Sequence, residues 1–288
     1  MRKINSSVLC LSACLTVSFA QNPEKIVVKS SNGVDIAVYK SGAGPALLLV
    51  HGSAKDGPSE WGRVQPLLSR HFTVYVMDRR GHGSSGDGAQ YSIAEEAADI
   101  ASVSRALGDQ VIVVAHSYGA LCSLAGLPQL SRLSRLILYE PPLFIGPTPP
   151  AKAELFTAYE QALERKDFDE AKVIGMRIAG MPESVIAGLR ASPTWAPSER
   201  IDINTREGRT VNTFRLGREE LSAFKVRTTM LLGTRTQGYL REGAAFVCNS
   251  LAACEMVALE GQGHVAHKAA PDLFAESILK GAGRMNSK

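Results

Sequence analysis

A short apolar segment that runs straight into a serine turn constrains the fold of this chain more than any other feature. Residues 111–119 read Val-Ile-Val-Val-Ala-His-Ser-Tyr-Gly, and a helix-compatible stretch, 120–127, follows them. The β-branched residues are typical of a buried strand. Ala115 and Gly119 flank Ser117 at positions −2 and +2, where a larger side chain would collide with a neighbouring element. The pattern predicts a sharp strand–turn–helix with the serine hydroxyl raised at a helix N-terminus, where partial positive charge favours an anion.

The rest of the sequence alternates between predicted strands and helices. The predicted strands are 25–30, 34–40, 45–50, 72–77, 110–115, 133–139, 227–232 and 253–259, and the predicted helices are 60–69, 92–107, 118–127, 239–249 and 271–280. Strands 45–50 and 110–115 are continuous apolar runs, as expected when helices cover both faces of a parallel sheet. Strand 34–40 alternates and suits an antiparallel edge. We therefore predict an α/β fold: a doubly wound, mostly parallel eight-stranded sheet.

The alternation stops between residues 141 and 225. This segment opens with prolines and then carries helical patterns near 151–166, 168–180 and 182–191. Two further prolines and Gly208 predict looser structure before the last strands. We expect a helical cap inserted into one domain, since 288 residues with 45% hydrophobic content can form one large core.

Residues 1–20 have the pattern of an export signal. A basic start precedes the mostly apolar run 8–19, and small residues precede the predicted cut. The apolar run is too short to span a bilayer. We predict a secreted or periplasmic protein with a mature domain 21–288. The alternative is cleavage before Cys14, which would leave a lipid anchor in the cell envelope.

The cysteines fit export without requiring it. Removal of the leader would leave Cys122, Cys248 and Cys254, an odd number that precludes complete internal pairing. Cys248 and Cys254 are six residues apart and can form a disulfide in an oxidising compartment. We expect Cys122 to be a small core residue.

Charge and glycine patterns argue against two kinds of ligand. The net charge of +4 is modest and no stripe of Lys and Arg appears, so we predict no nucleic-acid partner. Residues 81–86 match G-x-G-x-x-G after a strand, but the next helix starts near Ser92 and not at the third glycine. We therefore predict no nucleotide site there.

Five segments, in their order and spacing, resemble the α/β-hydrolase superfamily. They are His51-Gly52, Asp78-Arg79-Arg80-Gly81-His82-Gly83-Ser84-Ser85-Gly86, the Ser117 turn, Tyr139-Glu140-Pro141-Pro142 and Gly261-Gln262-Gly263-His264-Val265. The resemblance extends from about residue 24 to residue 280. It implies the α/β-hydrolase fold with a serine nucleophile and a cap.

The resemblance also implies catalytic roles. A serine hydroxyl needs a base within hydrogen-bond reach, and the implied base for Ser117 is His264, in the glycine-flanked loop after the last strand. His267 is the alternative. The two histidines are spaced like a metal pair, but acidic and Cys ligands do not cluster near them in the sequence, so we predict no metal.

The third member of the triad departs from the common pattern. The usual acid follows strand 227–232, but residues 233–238 contain no carboxylate. Some relatives carry the acid one strand earlier, and that position is Glu140. A carboxylate there would orient the imidazole of the base. The alternatives are that Glu140 only anchors the cap, that Asp78 is recruited, or that a Ser–His dyad acts alone.

The developing oxyanion of acyl transfer needs fixed donors. The resemblance implies the backbone N–H groups of Tyr118 and of Ser53, with Ala54 as the alternative to Ser53. Trp61, Leu143 and Phe144 are predicted to line an apolar pocket beneath the cap, although each is also an ordinary core candidate.

These observations predict a serine hydrolase that acts on a small, mainly apolar carboxylic ester, lactone or thioester, with a small-molecule substrate as its partner and no cofactor. A Ser nucleophile argues against the chemistry of haloalkane dehalogenases and epoxide hydrolases, which require a carboxylate. One alternative is a carbon–carbon bond hydrolase or perhydrolase on the same scaffold. Another is a non-catalytic small-molecule-binding protein on a disabled scaffold.

Overall fold

The computed structural model describes residues 23–53, 56–193, 195–197 and 200–284. The predicted leader 1–20, with Cys14, lies outside the described residues, and so does Ala54. Within the described part of the chain, no helix is both long enough and apolar enough to cross a bilayer.

Within these described residues, eight strands form one sheet. They are β1 (Glu24–Lys29), β2 (Asp35–Ser41), β3 (Ala46–Val50), β4 (Thr73–Met77), β5 (Ile112–His116), β6 (Arg135–Tyr139), β7 (Thr228–Gly233) and β8 (Cys254–Leu259). Their order is β1-β2-β4-β3-β5-β6-β7-β8. The strands β3 to β8 pair in parallel, whereas β2 is antiparallel to both β1 and β4. The predicted sheet is therefore confirmed.

One detail of the sheet prediction was wrong. The alternating strand β2 is not an edge, because β1 covers its outer side. The outer strand β1 is largely exposed, and Val27 on it is 57% exposed. Alternating apolar and polar residues indicate that one face of a strand is buried. They do not indicate whether the strand lies at the edge of the sheet.

Helices cover both faces of the sheet. They are α1 (Gly57–Trp61), α2 (Gln65–Leu68), α3 (Ile93–Ala106), α4 (Ser117–Ala125), α5 (Pro150–Glu164), α6 (Phe168–Ile178), α7 (Glu183–Arg190), α8 (Ile201–Thr213), α9 (Arg218–Ala223), α10 (Gly238–Ser250), α11 (Ala266–Ala269) and α12 (Pro271–Gly281), with a 3₁₀ turn at Leu127–Leu130. The predicted helix 60–69 is two short helices, α1 and α2.

Alternate side chains of each central strand enter different cores. On β3, Leu48 and Val50 join the cluster that contains residues of α3, α4 and α10. Leu47 and Leu49 join the opposite cluster, with residues of α1, α2 and α12. This arrangement explains why the central strands read as unbroken apolar runs.

The segment between β6 and β7 is helical for more of its length than predicted. We expected looser structure after residue 191, but α8 spans thirteen residues there, Ile201–Thr213. The sequence of α8 does not show the apolar periodicity of an amphipathic helix, because Ile203 is the only apolar side chain that this helix buries fully. A Cβ on its Gly208 would lie 3.1 Å from the ring of Tyr159 on α5, so glycine lets these two helices approach closely.

A disulfide joins Cys248, near the end of α10, to Cys254, the first residue of β8. Cys122 is buried and unpaired in the core cluster beside α3 and α4.

Candidate active site

The turn between β5 and α4 has the geometry that its small flanking residues predict. Ser117 starts α4 with a φ of 49°, a left-handed conformation that is strained for a non-glycine residue. A Cβ on Gly119 would lie 2.3 Å from the carbonyl oxygen of His51, and one on Gly52 would lie 2.9 Å from the Cβ of Ser117. Glycine at these two positions lets the turn pack against the loop after β3.

Three side chains form a continuous hydrogen-bonded line at the carboxyl ends of the strands. His264 Nε2 lies 2.9 Å from Ser117 Oγ, and His264 Nδ1 lies 2.7 Å from Glu140 Oε2. Glu140 follows β6 directly and is fully buried, while the side chain of His264 keeps 14% of its surface exposed. The line joins a hydroxyl, an imidazole and a carboxylate in the order that nucleophilic catalysis requires.

The loop after β7 contributes donors instead of a carboxylate. Glu140 Oε1 accepts hydrogen bonds from the Gly233 backbone N–H at 2.8 Å and from the Thr236 hydroxyl at 2.5 Å. Each oxygen of Glu140 therefore has its own partners, one holding the carboxylate and the other facing His264. Thr236 was not predicted from the sequence. It could have been found as a hydroxyl residue in the loop after β7, where the acid of the triad usually lies.

The environment favours the ionised form of Glu140 and the neutral form of His264. Burial alone would raise the pKa of Glu140, but the hydrogen bonds from His264, Thr236 and Gly233 outweigh it and lower the pKa below its usual range. Burial lowers the pKa of His264, against the opposing effect of Glu140. At neutral pH the pair is therefore a carboxylate and a neutral imidazole, so that His264 can accept a proton.

Two further side chains fix the loop that carries His264. The Tyr139 hydroxyl donates to the Gly263 carbonyl and accepts from the Ala266 N–H at 3.0 Å. His116 Nε2 lies 3.0 Å from the carbonyl oxygen of His264 itself. The ring of His116, which directly precedes Ser117 in the chain, therefore reaches the backbone of the predicted base.

A buried arginine holds the loop after β3, where the second oxyanion donor is predicted. Arg79 donates to the carbonyl oxygens of His51 at 3.1 Å and Gly52 at 3.0 Å. Its guanidinium carbon also lies 4.8 Å from the centre of the Tyr118 ring. Tyr118 is buried and Ser53 is exposed. Arg79 fixes the directions of the backbone carbonyls in the loop after β3. Because each peptide unit is planar, the backbone N–H groups of that loop are fixed as well.

Arg79 is neutralised from two sides. It donates to Glu96 of α3 at 2.7 Å and to Glu207 of α8, and Glu207 also lies 3.0 Å from His82 Nε2. Burial alone would raise the pKa of Glu207, but Arg79 and His82 lower it well below its usual range, so Glu207 is a carboxylate. This network ties α8 to the loops beneath it; we call it the Arg79 network (Arg79, His82, Glu96, Glu207).

Among the described residues, three other features singled out in the sequence have structural surroundings that do not connect them by hydrogen bonds to the Ser117–His264–Glu140 line. Asp78, an alternative acid of the triad, accepts from the backbone N–H groups of Gly57 and Ser84, at 2.9 and 2.8 Å, and so anchors its own loop. The glycines of the G-x-G-x-x-G segment serve that loop: a Cβ on Gly83 would lie 2.1 Å from the Asp78 carboxylate. His267 is buried on α11 and, among the described residues, neither of its ring nitrogens has a hydrogen-bond partner.

One cluster of described residues has the composition of a metal site. Ligand atoms of Glu60, His116 and His267 lie within 4.8 Å of one another, and all three residues are buried. Glu60 and His116 are already hydrogen-bonded, with His116 Nδ1 2.8 Å from Glu60 Oε1. A cation there would have to displace that bond. Of the two histidines that are spaced like a metal pair in the sequence, this cluster contains His267 but not His264.

The three residues predicted to line a pocket are all buried. Trp61 has no exposed surface and packs in the core against His267 and Phe274. Leu143 is 1% and Phe144 4% exposed, and Phe144 stacks on Tyr239 with ring centres 4.2 Å apart. Trp61 therefore has a packing role in this structure. A pocket lined by Leu143 and Phe144 stays a prediction.

Comparison with known proteins adds independent information. A family model described as "Alpha/beta hydrolase family" matches residues 47–277. An N-formylmaleamate deformylase from Pseudomonas putida is 37% identical over 119 residues, which are 40% of this chain and 44% of that protein. A fluoroacetate dehalogenase from a Burkholderia species is 39% identical over 93 residues, 30% of each chain. The chain thus spans less than half of the length of either relative.

Solved structures match over more of the chain. An alpha/beta hydrolase from Sphaerobacter thermophilus superposes with a TM-score of 0.74 and 27% identity, over 89% of this chain and 99% of that one. An esterase from Exiguobacterium antarcticum gives a TM-score of 0.73 over 90% of this chain and 100% of that one. Its 20% identity shows a common fold and no more.

Proposed function

The chain belongs to the alpha/beta hydrolase family, and from that premise we propose that it is a serine hydrolase that works through an acyl-enzyme. The observation that carries the proposal is the hydrogen-bonded line Ser117–His264–Glu140. Its hydroxyl stands at the N-terminus of α4 on a strained backbone, next to a neutral imidazole.

In the proposed reaction, Ser117 Oγ attacks the acyl carbon of the substrate while its proton passes to His264 Nε2. The backbone N–H groups of Tyr118 and Ser53 bind the oxyanion of the tetrahedral intermediate. Collapse of the intermediate breaks the bond to the leaving group, which takes the proton from His264. Water, deprotonated by His264, then attacks the acyl-enzyme and releases the acid and the Ser117 hydroxyl. Glu140 stabilises the imidazolium at each protonation.

The proposed substrates are small, mainly apolar carboxylic esters, lactones or thioesters. Helices of the segment between β6 and β7 lie against loops at the carboxyl ends of the strands, since Glu207 of α8 meets Arg79 there. Their own cluster is apolar, with Phe144, Phe156 and Ile174 among its members. Such a cover suits a compact substrate better than a polymer.

Covalent labelling with a fluorophosphonate probe tests the nucleophile. We expect the wild-type protein to be labelled and to hydrolyse short-chain p-nitrophenyl esters, whereas Ser117→Ala should lose both, because the probe reacts only with an activated serine. Ser123→Ala, which removes another hydroxyl of α4, is the matched control and should keep its labelling. A wild-type protein that binds small molecules tightly without being labelled would contradict the proposal and support a binding protein.

Amide hydrolysis is a second candidate. The likeness that favours it is the 37% identity to an N-formylmaleamate deformylase over 119 residues. The same acyl-enzyme would form, with an amine or amide as the leaving group. Comparing kcat/KM for an N-formyl amide with that for the matched formate ester would distinguish the two. A higher value for the amide would support deformylation.

A further inference from the structure

One buried imidazole connects three parts of the proposed site. His116 lies directly before Ser117, and its Nδ1 is 2.8 Å from Glu60 Oε1. The same carboxylate oxygen accepts from the Gly52 N–H at 2.8 Å, in the loop after β3. On its other side, His116 Nε2 is 3.0 Å from the carbonyl oxygen of His264. The loop after β3, the serine turn and the loop of the base therefore meet at the pair formed by His116 and Glu60.

The number of protons on His116 follows from its partners. A backbone carbonyl can only accept, so Nε2 must carry a hydrogen to bond the carbonyl of His264. Nδ1 faces a carboxylate oxygen that already accepts from Gly52. A neutral imidazole has a single N–H and would leave one of the two contacts without a donor. An imidazolium paired with a carboxylate satisfies both contacts, and the amide N–H of Gly52 further stabilises the charged form of Glu60.

On this basis, and resting on the proposed function, we propose that His116 is a positioning residue. It stays an imidazolium ion paired with Glu60 and holds the backbone of the catalytic base through its second N–H.

In the described part of the chain, the titratable groups around the pair add no competing charge. Burial alone would raise the pKa of Glu60, but the neighbouring His116 lowers it well below its usual range. Burial lowers the pKa of His267 to about 2 and also lowers the pKa of His51, so both rings are neutral. Burial keeps the Tyr139 hydroxyl protonated, and this ring stacks on His116 at 4.8 Å. Neutral His264, whose ring centre lies 4.7 Å from that of His116, completes the titratable groups that face the pair among the described residues.

The ion pair has a consequence for the base. A cation at His116 lowers the pKa of His264, in addition to the larger effect of burial. It therefore helps to keep the base unprotonated at the pH where Ser117 must lose its proton. A neutral residue at position 116 should let His264 hold its proton to higher pH.

Nitrogen-15 NMR of histidine-labelled protein tests the protonation state directly. The signals of His116 are assigned by their loss in His116→Gln. We expect both ring nitrogens to show the shifts of a protonated imidazolium at pH 7 and above, and Glu60→Gln to convert His116 to a neutral ring. One unprotonated nitrogen on His116 in the folded wild-type protein would overturn the proposal. So would a spectrum that changes on adding EDTA, because a metal between His116 and His267 would replace the proton.

The pH dependence of kcat/KM tests the effect on catalysis. In His116→Gln the midpoint of the acidic limb should move upward, by on the order of one pH unit for loss of a charge at this distance. His267→Gln makes the same imidazole-to-amide change at a neutral neighbour, and its midpoint should not move. An unmoved limb in a folded, active His116→Gln enzyme would overturn the proposed effect on the base. If the wild-type protein neither hydrolyses esters nor reacts with the probe, the proposed function fails, while the NMR result still reports on His116.

Discussion

Two side chains of the proposed triad share an unusual backbone conformation. Ser117 has a φ of 49° and Glu140 a φ of 48°, and they follow the neighbouring parallel strands β5 and β6. Left-handed backbone is costly for such residues, by about 1–3 kcal/mol each, and persists only where the surroundings hold it. Here the packing around Ser117 and the three hydrogen bonds of Glu140 do so. The strain turns both side chains toward the same imidazole.

At this scale, the acid assignment can be tested by Glu140→Gln. The amide keeps an oxygen for Gly233 and Thr236 but presents an NH₂ group to His264 Nδ1, which selects the wrong tautomer. We expect kcat to fall by roughly 10⁴, as for loss of the orienting carboxylate in a serine triad. Thr236→Val, which removes one supporting bond, should cost only about tenfold. Steady-state kinetics would measure both, and an unchanged kcat in Glu140→Gln would refute the role of the acid.

The helix α8 shows how a polar element is attached to a core. Only one of its apolar side chains is fully buried, yet Glu207 from its centre is 4% exposed and contacts Arg79 and His82. Arg79 in turn holds the loop carbonyls next to the proposed oxyanion site. The position of α8 and the shape of that loop therefore depend on the same buried charges.

Glu207→Gln should be strongly destabilising, because it removes a charge that neutralises a buried arginine. We expect the free energy of unfolding to fall by about 3 kcal/mol. The matched control is Glu160→Gln. It breaks the exposed ion pair between Glu160 of α5 and Arg209 of α8, the helix that also carries Glu207. That variant should change stability far less than Glu207→Gln does, because solvent screens an exposed ion pair. Urea denaturation would compare the two, and equal effects would show that the Arg79 network does not anchor α8.

For the whole molecule, the disulfide concerns both stability and location. Cys248–Cys254 closes a short loop between α10 and the outer strand β8. Structural disulfides persist in oxidising compartments, which fits the export that residues 1–20 predict. We therefore propose that the protein works outside the cytoplasm.

The double variant Cys248→Ser, Cys254→Ser should unfold more easily. Closing a loop of six residues stabilises a protein by about 2 kcal/mol in the chain-entropy model, so the melting temperature should fall by several degrees. Cys122→Ser, at the free buried cysteine, controls for substitution of a thiol. If a reducing agent lowers the melting temperature of the wild-type protein and not that of the double variant, the bond is the cause. Equal melting temperatures under oxidising conditions would contradict the expectation.

Local patterns in the sequence were enough to predict the sheet and the serine turn, and the resemblance to the α/β-hydrolase superfamily implied the pairing of Ser117 with His264. The conformations that apolar runs and glycines favour are decided by residues close by in the sequence. These patterns therefore identify β3, β5 and the turn without knowledge of the rest of the fold. The same patterns could not identify α8, because a helix held by charges has little apolar periodicity. They also could not distinguish a pocket position from a core position for Trp61, since a buried aromatic residue gives the same sequence pattern in both.

The sequence by itself determined which side chains are available for chemistry and at which strand ends they lie. Only the tertiary structure decided which of them meet. Glu140 and Asp78 are both carboxylates after strands, but the crossovers of the sheet bring only Glu140 to His264 and close the loop of Asp78 upon itself. The contacts of Thr236 with Glu140 and of His116 with Glu60 likewise join residues 96 and 56 positions apart. Such contacts depend on distances between strands and on burial, which are properties of the folded chain and not of any short segment.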